Sequence, residues 1–546
     1  MFDELTKETN GLPPIGPENA EIYLLGDYPT DRDILIGKAF ASNSGDILKT
    51  ILEHLKINLK SIRYNYAVNY KIKDSDSIFG KGPSDLLING CRDKVFADIK
   101  KINPKVIIAC GDATLKCLFD RSEPGIFGWR GRQVPSREFN CWVLPVFPMR
   151  TIIKDGISDN KIQWLKGTNH TDTLRVLRED LSIIPDLIKV PIPEVEPYRI
   201  IKLLKFDEVE SFFKLALQKD FFIFDFETLG LKPYFKESCI LSCSFSFGGN
   251  IAYALPISYF NYMTKEKYWN KIQEEFILDN MKKLLTNPKS GKVAHNSVFE
   301  MEWAKAILGI DITNIEDSML QKYILDCRTG TMGLDFLTFV NYGISHKVYP
   351  QSIMSNLTQL PIEELLEYNG KDAIFEYSIY KKQEKRLNKD KILQFVYKEQ
   401  IETAKTIAQI QFDGAYTNEE SRNNLLIEYK NTKENIEKEL LNLPSVVEFR
   451  NKYGKVPALK SNSKDIPIIL FKLEGLEPFK KTGKGNFSVD KEVLMEYSEQ
   501  NKFCELLLKY REYSGIEGKI LKGYTECVFP DQKYHISFFP VETGRL

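Results

Sequence analysis

Short apolar runs that alternate with stretches of helical periodicity constrain the fold of this chain more than any other feature. Ile22-Tyr23-Leu24-Leu25 is an apolar strand that ends at Gly26. From Asp46 to Leu59 the apolar residues Ile47, Leu48, Ile51, Leu52 and Leu55 recur at helical spacing. Lys105–Gly111 and Trp142–Phe147 read as two further buried strands. Strands that are apolar throughout need cover on both faces, so the alternation predicts an α/β sandwich around a largely parallel sheet. The whole chain, at 546 residues, is too long for one core. Between Ile184 and Arg199 stand Pro185, Pro191, Pro193 and Pro197. Proline removes a donor and fixes φ, which blocks both helix and ladder, so residues 185–199 read as a linker. The first domain is then 1–184. A second α/β domain, 200–390, opens with the strand Phe221–Phe226, and from Lys391 to the end the chain turns mostly helical and charged.

Lys+Arg and Asp+Glu balance at 75 each, so no overall basic field announces nucleic acid, and any DNA contact must come from local patches. Nine cysteines contain no C-x-x-C pair, which argues against a disulfide framework or zinc site and for a reducing compartment. No apolar run reaches membrane-spanning length, and Met1-Phe2-Asp3-Glu4 is not the basic start of a signal peptide. The expected location is the cytoplasm, that of the host cell if the protein is viral, with no membrane partner.

Asp225 and Glu227 lie two apart in a strand, so their carboxylates project from one face. Two adjacent carboxylates repel unless a cation lies between them, and a divalent metal is the usual answer. The wholly apolar flank Phe221–Phe224 places the pair where a buried strand emerges. His295–Glu300 opens an apolar helix, and Tyr368 and Asp372 stand four apart, on one face if helical.

Taken in order, these segments resemble the DEDDy exonucleases, in particular the proofreading domain of family A DNA polymerases. Asp225-Phe-Glu227-Thr228-Leu-Gly-Leu231 is similar to that family's first motif, Asn296-x-x-Phe299-Glu300 to its second, and Tyr368-x-x-x-Asp372 to its third. The resemblance implies a ribonuclease H-like α/β fold and a 3′→5′ exonuclease. Two ions, Mg²⁺ or Mn²⁺, would be held by Asp225, Glu227, Glu300 and Asp372, with Tyr368 orienting the attacking water. Thr228, Leu231 and Asn296 would hold a single-stranded 3′ end, Leu231 by wedging between bases. The family usually has Asp where this chain has Glu300. Asp317 is the other acid available for that role, but the family carries a structural Asp-x-Met-Leu segment at the corresponding place.

Past residue 391, Gln411–Ala415 resembles the passage from exonuclease to thumb in the same polymerases. Leu459–Ser463 and Lys480–Asp490 are similar to two further thumb segments. Tyr510-Arg511 and the ending Thr543-Gly544-Arg545-Leu546 resemble primer-binding motifs, which implies DNA contacts by Arg511, Thr543, Gly544 and Arg545. The chain ends before any palm or fingers. On that reading it meets primer–template DNA but extends a primer only with a second polypeptide carrying those parts. Gly26-Asp27-Tyr28-Pro29, Gly37-x-Ala39-Phe40, Gly111-x-Ala113 and Arg130-Gly131 resemble uracil-DNA glycosylases of the thermophile type. Only Cys91 falls where that family binds an iron–sulfur cluster, so no cluster is expected. Phe147 stands where the family has a histidine, which implies a fold retained for binding and not for base excision. The whole reads as the N-terminal part of a family A polymerase similar to those of large bacterial viruses. A stand-alone repair exonuclease and a non-catalytic DNA-binding scaffold are its rivals.

Overall fold

Five strands build the first sheet in the order β2-β1-β3-β5-β4: β1 Ile22–Gly26, β2 Ile62–Tyr66, β3 Val106–Cys110, β4 Val134–Ser136 and β5 Cys141–Val146. All pairings are parallel except β4 with β5. The three strands marked by apolar runs, β1, β3 and β5, are buried along their whole length. This computed structural model describes residues 11–72, 83–148, 172–345, 349–460, 463–480, 487–521 and 528–538. The periodic stretch from Asp46 to Leu59 forms a helix at Asn43–His54, earlier and shorter than its apolar spacing predicts. The chain turns at Lys56, whose φ is 62°, and Leu59–Ser61 is a separate 3₁₀ turn.

The proline-rich stretch departs from expectation at its start. Pro185 lies in the first turn of a short helix, Ile184–Leu187, where a missing N–H leaves no bond unmade. Ile184 and Leu187 are buried in the core beside the first sheet. Residues 191–198 then carry neither helix nor strand.

The second sheet has the order β11-β10-β7-β8-β9-β6: β6 Arg199–Lys202, β7 Phe221–Thr228, β8 Ile240–Gly248, β9 Ile251–Pro256, β10 Gly291–Ala294 and β11 Ile315–Asp317. The β7-β8-β9 run is antiparallel, and the other pairs are parallel. Alternation along β7 sorts its side chains. Phe222 meets Phe245, which in turn packs on Phe212 of the helix Phe206–Ala216, with ring centroids 5.7 and 5.2 Å apart. On the other face Ile223 packs with Tyr380 of a long helix, Ile362–Leu387. That helix lies close on β6, because a Cβ on Gly370 would stand 2.6 Å from Cγ2 of Ile200.

Both sheets belong to one compact unit, formed by the chain up to Leu231 and by Cys239–Thr406. The helix Leu334–Tyr342 joins them, since Leu334, Phe336, Leu337, Phe339 and Val340 share a core with Trp129, Val134 and Val143. A second unit comprises Lys232–Ser238 and Ile407–Phe538. It is mostly helical, with Glu419–Leu441, Pro444–Tyr453 and Lys502–Gly515 packed around Leu440, Phe449, Leu470 and Phe503. Its short strands β12 (Ala415–Tyr416) and β13 (Lys533–Tyr534) pair antiparallel. No described helix is long and apolar enough to cross a membrane.

Candidate active site

Strand β7 delivers Asp225 and Glu227 to the face that the long helix covers. Their cross-strand partners on β8, Ser244 and Ser242, are small, which leaves room above the strand. The long helix presents Tyr368 and Asp372 one turn apart toward the same place. Ligand oxygens of Asp225, Glu227 and Asp372 all lie within 4.8 Å of one another.

Glu300 comes from the first turn of the helix Ser297–Trp303, whose start is set by Asn296 in the left-handed conformation, φ 73° and ψ 55°. The Glu300 carboxyl is buried, and its Oε2 has no hydrogen-bond partner. Burial, and then the Asp225 charge, push it well above the usual carboxylate range. Burial also raises the Tyr368 phenol, as do the charges of Asp372, Glu227 and Asp225, so it stays protonated.

These residues line a cleft of about 650 Å³, together with Thr228, Leu231, His295 and Phe299. Leu231, 84% exposed, stands among the residues that line it. The Thr228 hydroxyl donates to the carbonyl of Gly230 at 2.7 Å. Asp317 does not line the cleft. Its carboxylate accepts from the backbone N–H groups of Asn296, Ser297, Met319 and Leu320 and from the Ser297 hydroxyl, tying two helix starts together.

Two residues of this neighbourhood escape the sequence reading. Asn369 donates from Nδ2 to Asp225 Oδ2 at 2.8 Å and to the Asp225 carbonyl at 3.2 Å, which fixes the carboxylate's direction. Its own Oδ1 accepts from Ser242 at 3.1 Å. Glu376, one turn beyond Asp372, is fully buried and accepts from Ser318 Oγ at 3.0 Å; Ser318 Oγ also lies 2.8 Å from His295 Nδ1. Burial and the Asp225 charge raise its carboxyl as well. The Tyr368, Asp372, Glu376 spacing of four was the available signal for it.

Clustered carboxylates with an orphaned buried oxygen suit a hard divalent cation, which takes oxygen ligands and relieves the repulsion. The residues present therefore fit the implied metals.

Residues 200–388 match the family model described as 3′-5′ exonuclease, and residues 13–155 match the uracil DNA glycosylase superfamily. The chain carries a 3′-5′ exonuclease domain of the family A DNA polymerase type. Outside that domain the likeness continues. The DNA polymerase of Bacillus phage SP01 is 21% identical over 97% of this chain and 62% of its own length. The DNA polymerase of Escherichia phage T5 is 23% identical over 45% of this chain and 31% of its own. The chain thus spans less than two thirds of these relatives. Among solved structures, the POL domain of Pol1 from M. smegmatis in complex with DNA primer-template and dNTP aligns with a TM-score of 0.47. The match has 14% identity and covers 63% of this chain and 53% of that one.

In the glycosylase-superfamily domain, Asp27 is buried and accepts from the N–H of Ala113 at 3.0 Å. Phe40 stacks on Tyr66, centroids 4.9 Å apart and planes within 8°, and the space beside Asp27 is only about 60 Å³. Phe147 meets Phe127 edge-on at 5.0 Å, with the Arg130 guanidinium 5.4 Å over its ring. In the helical unit, Arg511 donates to the carbonyl of Val489 at 2.7 Å and to those of Leu459 and Lys460 at 3.4 and 3.5 Å, so its guanidinium is spent on its own unit. Thr543, Gly544, Arg545 and the basic stretch Lys481–Asn486 lie outside the described residues.

Proposed function

We propose that the exonuclease domain removes nucleotides from the 3′ end of single-stranded DNA and serves as the proofreading part of a family A DNA polymerase. The observation that carries this reading is the convergence of Asp225, Glu227 and Asp372 within 4.8 Å at the floor of an open cleft. Two divalent ions would be held by these acids with Glu300, which we assign as the fourth ligand because it lines the same cleft while Asp317 is committed to backbone N–H groups. Bound there, such ions would supply an activated water and offset the charge that develops on the phosphate.

The chain's own groups do the rest. Tyr368, kept protonated, donates its hydroxyl hydrogen bond to orient the attacking water. Asn369 holds the Asp225 carboxylate toward the cleft. Leu231 wedges between the terminal bases, and Thr228 and Asn296 hold the sugar–phosphate end. Primer–template DNA is the wider substrate, met in part by the helical unit. The glycosylase-superfamily domain serves as a binding fold, because Phe147, packed edge-on against Phe127, has no N–H or O–H to stabilise a departing base.

The test is a nuclease assay on a labelled single strand. Shortening from the 3′ end in Mg²⁺ or Mn²⁺, with release of nucleoside monophosphates and arrest by a chelator, is the expected result. Asp225→Ala abolishes it, and Tyr368→Phe slows it less. A scaffold would bind the strand and leave it whole, and parental digestion by Asp225→Ala would show that the chemistry lies elsewhere.

A further inference from the structure

A second cavity, about 640 Å³, opens between the rim of the first sheet and the far end of the long helix. Its wall carries five cations, Arg132, Lys322, Arg328, Lys382 and Arg386, and a single acid, Asp326. That acid is saturated. It takes Arg132 Nη2 at 2.9 Å, Lys322 Nζ at 2.8 Å and a two-pronged contact from Arg328 at 2.8 and 2.7 Å. Three cations on one carboxylate leave positive charge uncompensated, and Lys382 and Arg386 at the rim add more. Lys382 Nζ donates to the neutral Asn341 Oδ1 at 2.6 Å, and Arg386 has no acidic partner among the described residues.

Burial and mutual repulsion show in the protonation of the inner pair. Burial, and then Arg132, hold the Lys322 ammonium down to about 8. Burial and Arg328 hold Arg132 down to about 10. An anion in the cavity would relieve both. The lining also includes the apolar side chains of Trp142, Leu325, Leu337, Val340 and Ile379, and the buried Gln383 has an amide oxygen with no hydrogen-bond partner.

We propose that this cavity binds a nucleotide, with its phosphate against the arginine and lysine side chains and its base against the apolar side chains and the Gln383 amide. Planar guanidinium groups suit phosphate oxygens, and the volume lies within the roughly 300–1,000 Å³ of small-molecule sites. Positive charge lining a single concavity fits one phosphate-bearing ligand better than a strand, which needs a groove that continues. The site is separate from the exonuclease cleft, because Asp372 and Lys382 lie ten residues apart on the long helix, roughly 15 Å.

Calorimetric titration of the full chain tests this, in a chelator and in an Asp225→Ala background so that the exonuclease cleft cannot report. Thymidine 5′-monophosphate is the probe, with thymidine, inorganic phosphate and a 5′-phosphorylated single strand as comparison arms. The expected result is binding of the monophosphate, with thymidine and phosphate each at least about tenfold weaker. Replacing the two exposed rim cations together, Lys382→Gln with Arg386→Gln, weakens the monophosphate by about tenfold or more, as loss of a charge-assisted contact implies. No binding, equal binding of phosphate or thymidine, or an unchanged affinity in a folded double variant would overturn the proposal. So would a strand that binds more tightly than the mononucleotide, which would assign the cavity to DNA.

Discussion

Asp317 takes five hydrogen bonds, whereas the buried Glu300 has an oxygen with none, and that contrast sets opposite expectations for two acids only 17 positions apart in sequence. Asp317→Ala strips partners from buried N–H groups at two helix starts, and should lower stability by roughly 2–4 kcal/mol in denaturant unfolding. Glu300→Gln removes a carboxyl that burial already disfavours, so stability should hold or rise while exonuclease activity falls beyond the about 10–100-fold typical of an outer-shell partner. A Glu300→Gln variant with parental activity would move the fourth ligand elsewhere. Sequence order alone offered both acids. What separates them is hydrogen bonding across elements distant in the chain, which spacing does not reveal. The same scale governs the glycosylase-superfamily pocket. Phe40 is stacked on Tyr66 beside Asp27, and Phe147 has no N–H or O–H to donate to a departing base. A uracil-containing oligonucleotide incubated with the chain and then treated with alkali should stay whole, and cleavage lost in Asp27→Asn would show a working glycosylase.

At the scale of elements, apolar runs marked the central strands well and the edges poorly. β1, β3, β5 and β7 are apolar because helices or neighbouring strands cover them, and that pattern is readable directly. β2, Ile62-Arg63-Tyr64-Asn65-Tyr66, interleaves polar residues because it lies at the sheet's edge. Arg63 there reaches Asp98 at 2.6 Å. β10 hides a different exception. The Lys292 side chain is fully buried, with Nζ donating to the carbonyl of Asn287 and to Thr313 Oγ1, and burial holds it down to about 8. Below that pH both folded and unfolded chains carry the charge, and the folded one bears its full desolvation cost. Between about 8 and the ordinary lysine value near 10.4 the folded state releases the proton first, so stability rises with pH; above it the gain is complete. Relative to Lys292→Met, the parental chain should therefore gain about 3 kcal/mol between pH 7.5 and 10.5 in denaturant unfolding. A stability difference that stays constant across that range would mean that the ammonium is already solvated.

Across the whole molecule, the least legible feature is the joining of the first two sheets. Amphipathic spacing in Leu334–Tyr342 tells that one face is buried, yet it cannot tell that the covering surface lies some 200 residues earlier, on the glycosylase-superfamily domain. The contact is extensive in kind: Phe339 meets Phe119 edge-on at 5.0 Å, Phe336 meets Trp129 at 4.9 Å, and Arg121 lies 4.4 Å over the Phe339 ring. Ion pairs frame it, Arg132 with Asp326 at 2.9 Å and Arg121 with Asp335 at 3.2 Å. Aromatic rings shared between two sheets couple their unfolding, because neither core closes without the other's side chains. Phe339→Ala should cost about 3–5 kcal/mol, the range for a buried phenylalanine, and the loss should fall on both sheets together. Hydrogen exchange can read this: amides of β3, in the first sheet, and of β8, in the second, should lose protection by the same free energy. Were β8 to keep its protection while β3 loses it, the two sheets would be separately stable bodies that merely touch. The same coupling predicts that the glycosylase-superfamily domain expressed without residues 334–342 exposes Trp129 and Phe119 and binds a hydrophobic dye. A fragment that instead unfolds cooperatively, at the temperature of the full chain and without dye binding, would remove the basis for treating the pair as one folding unit.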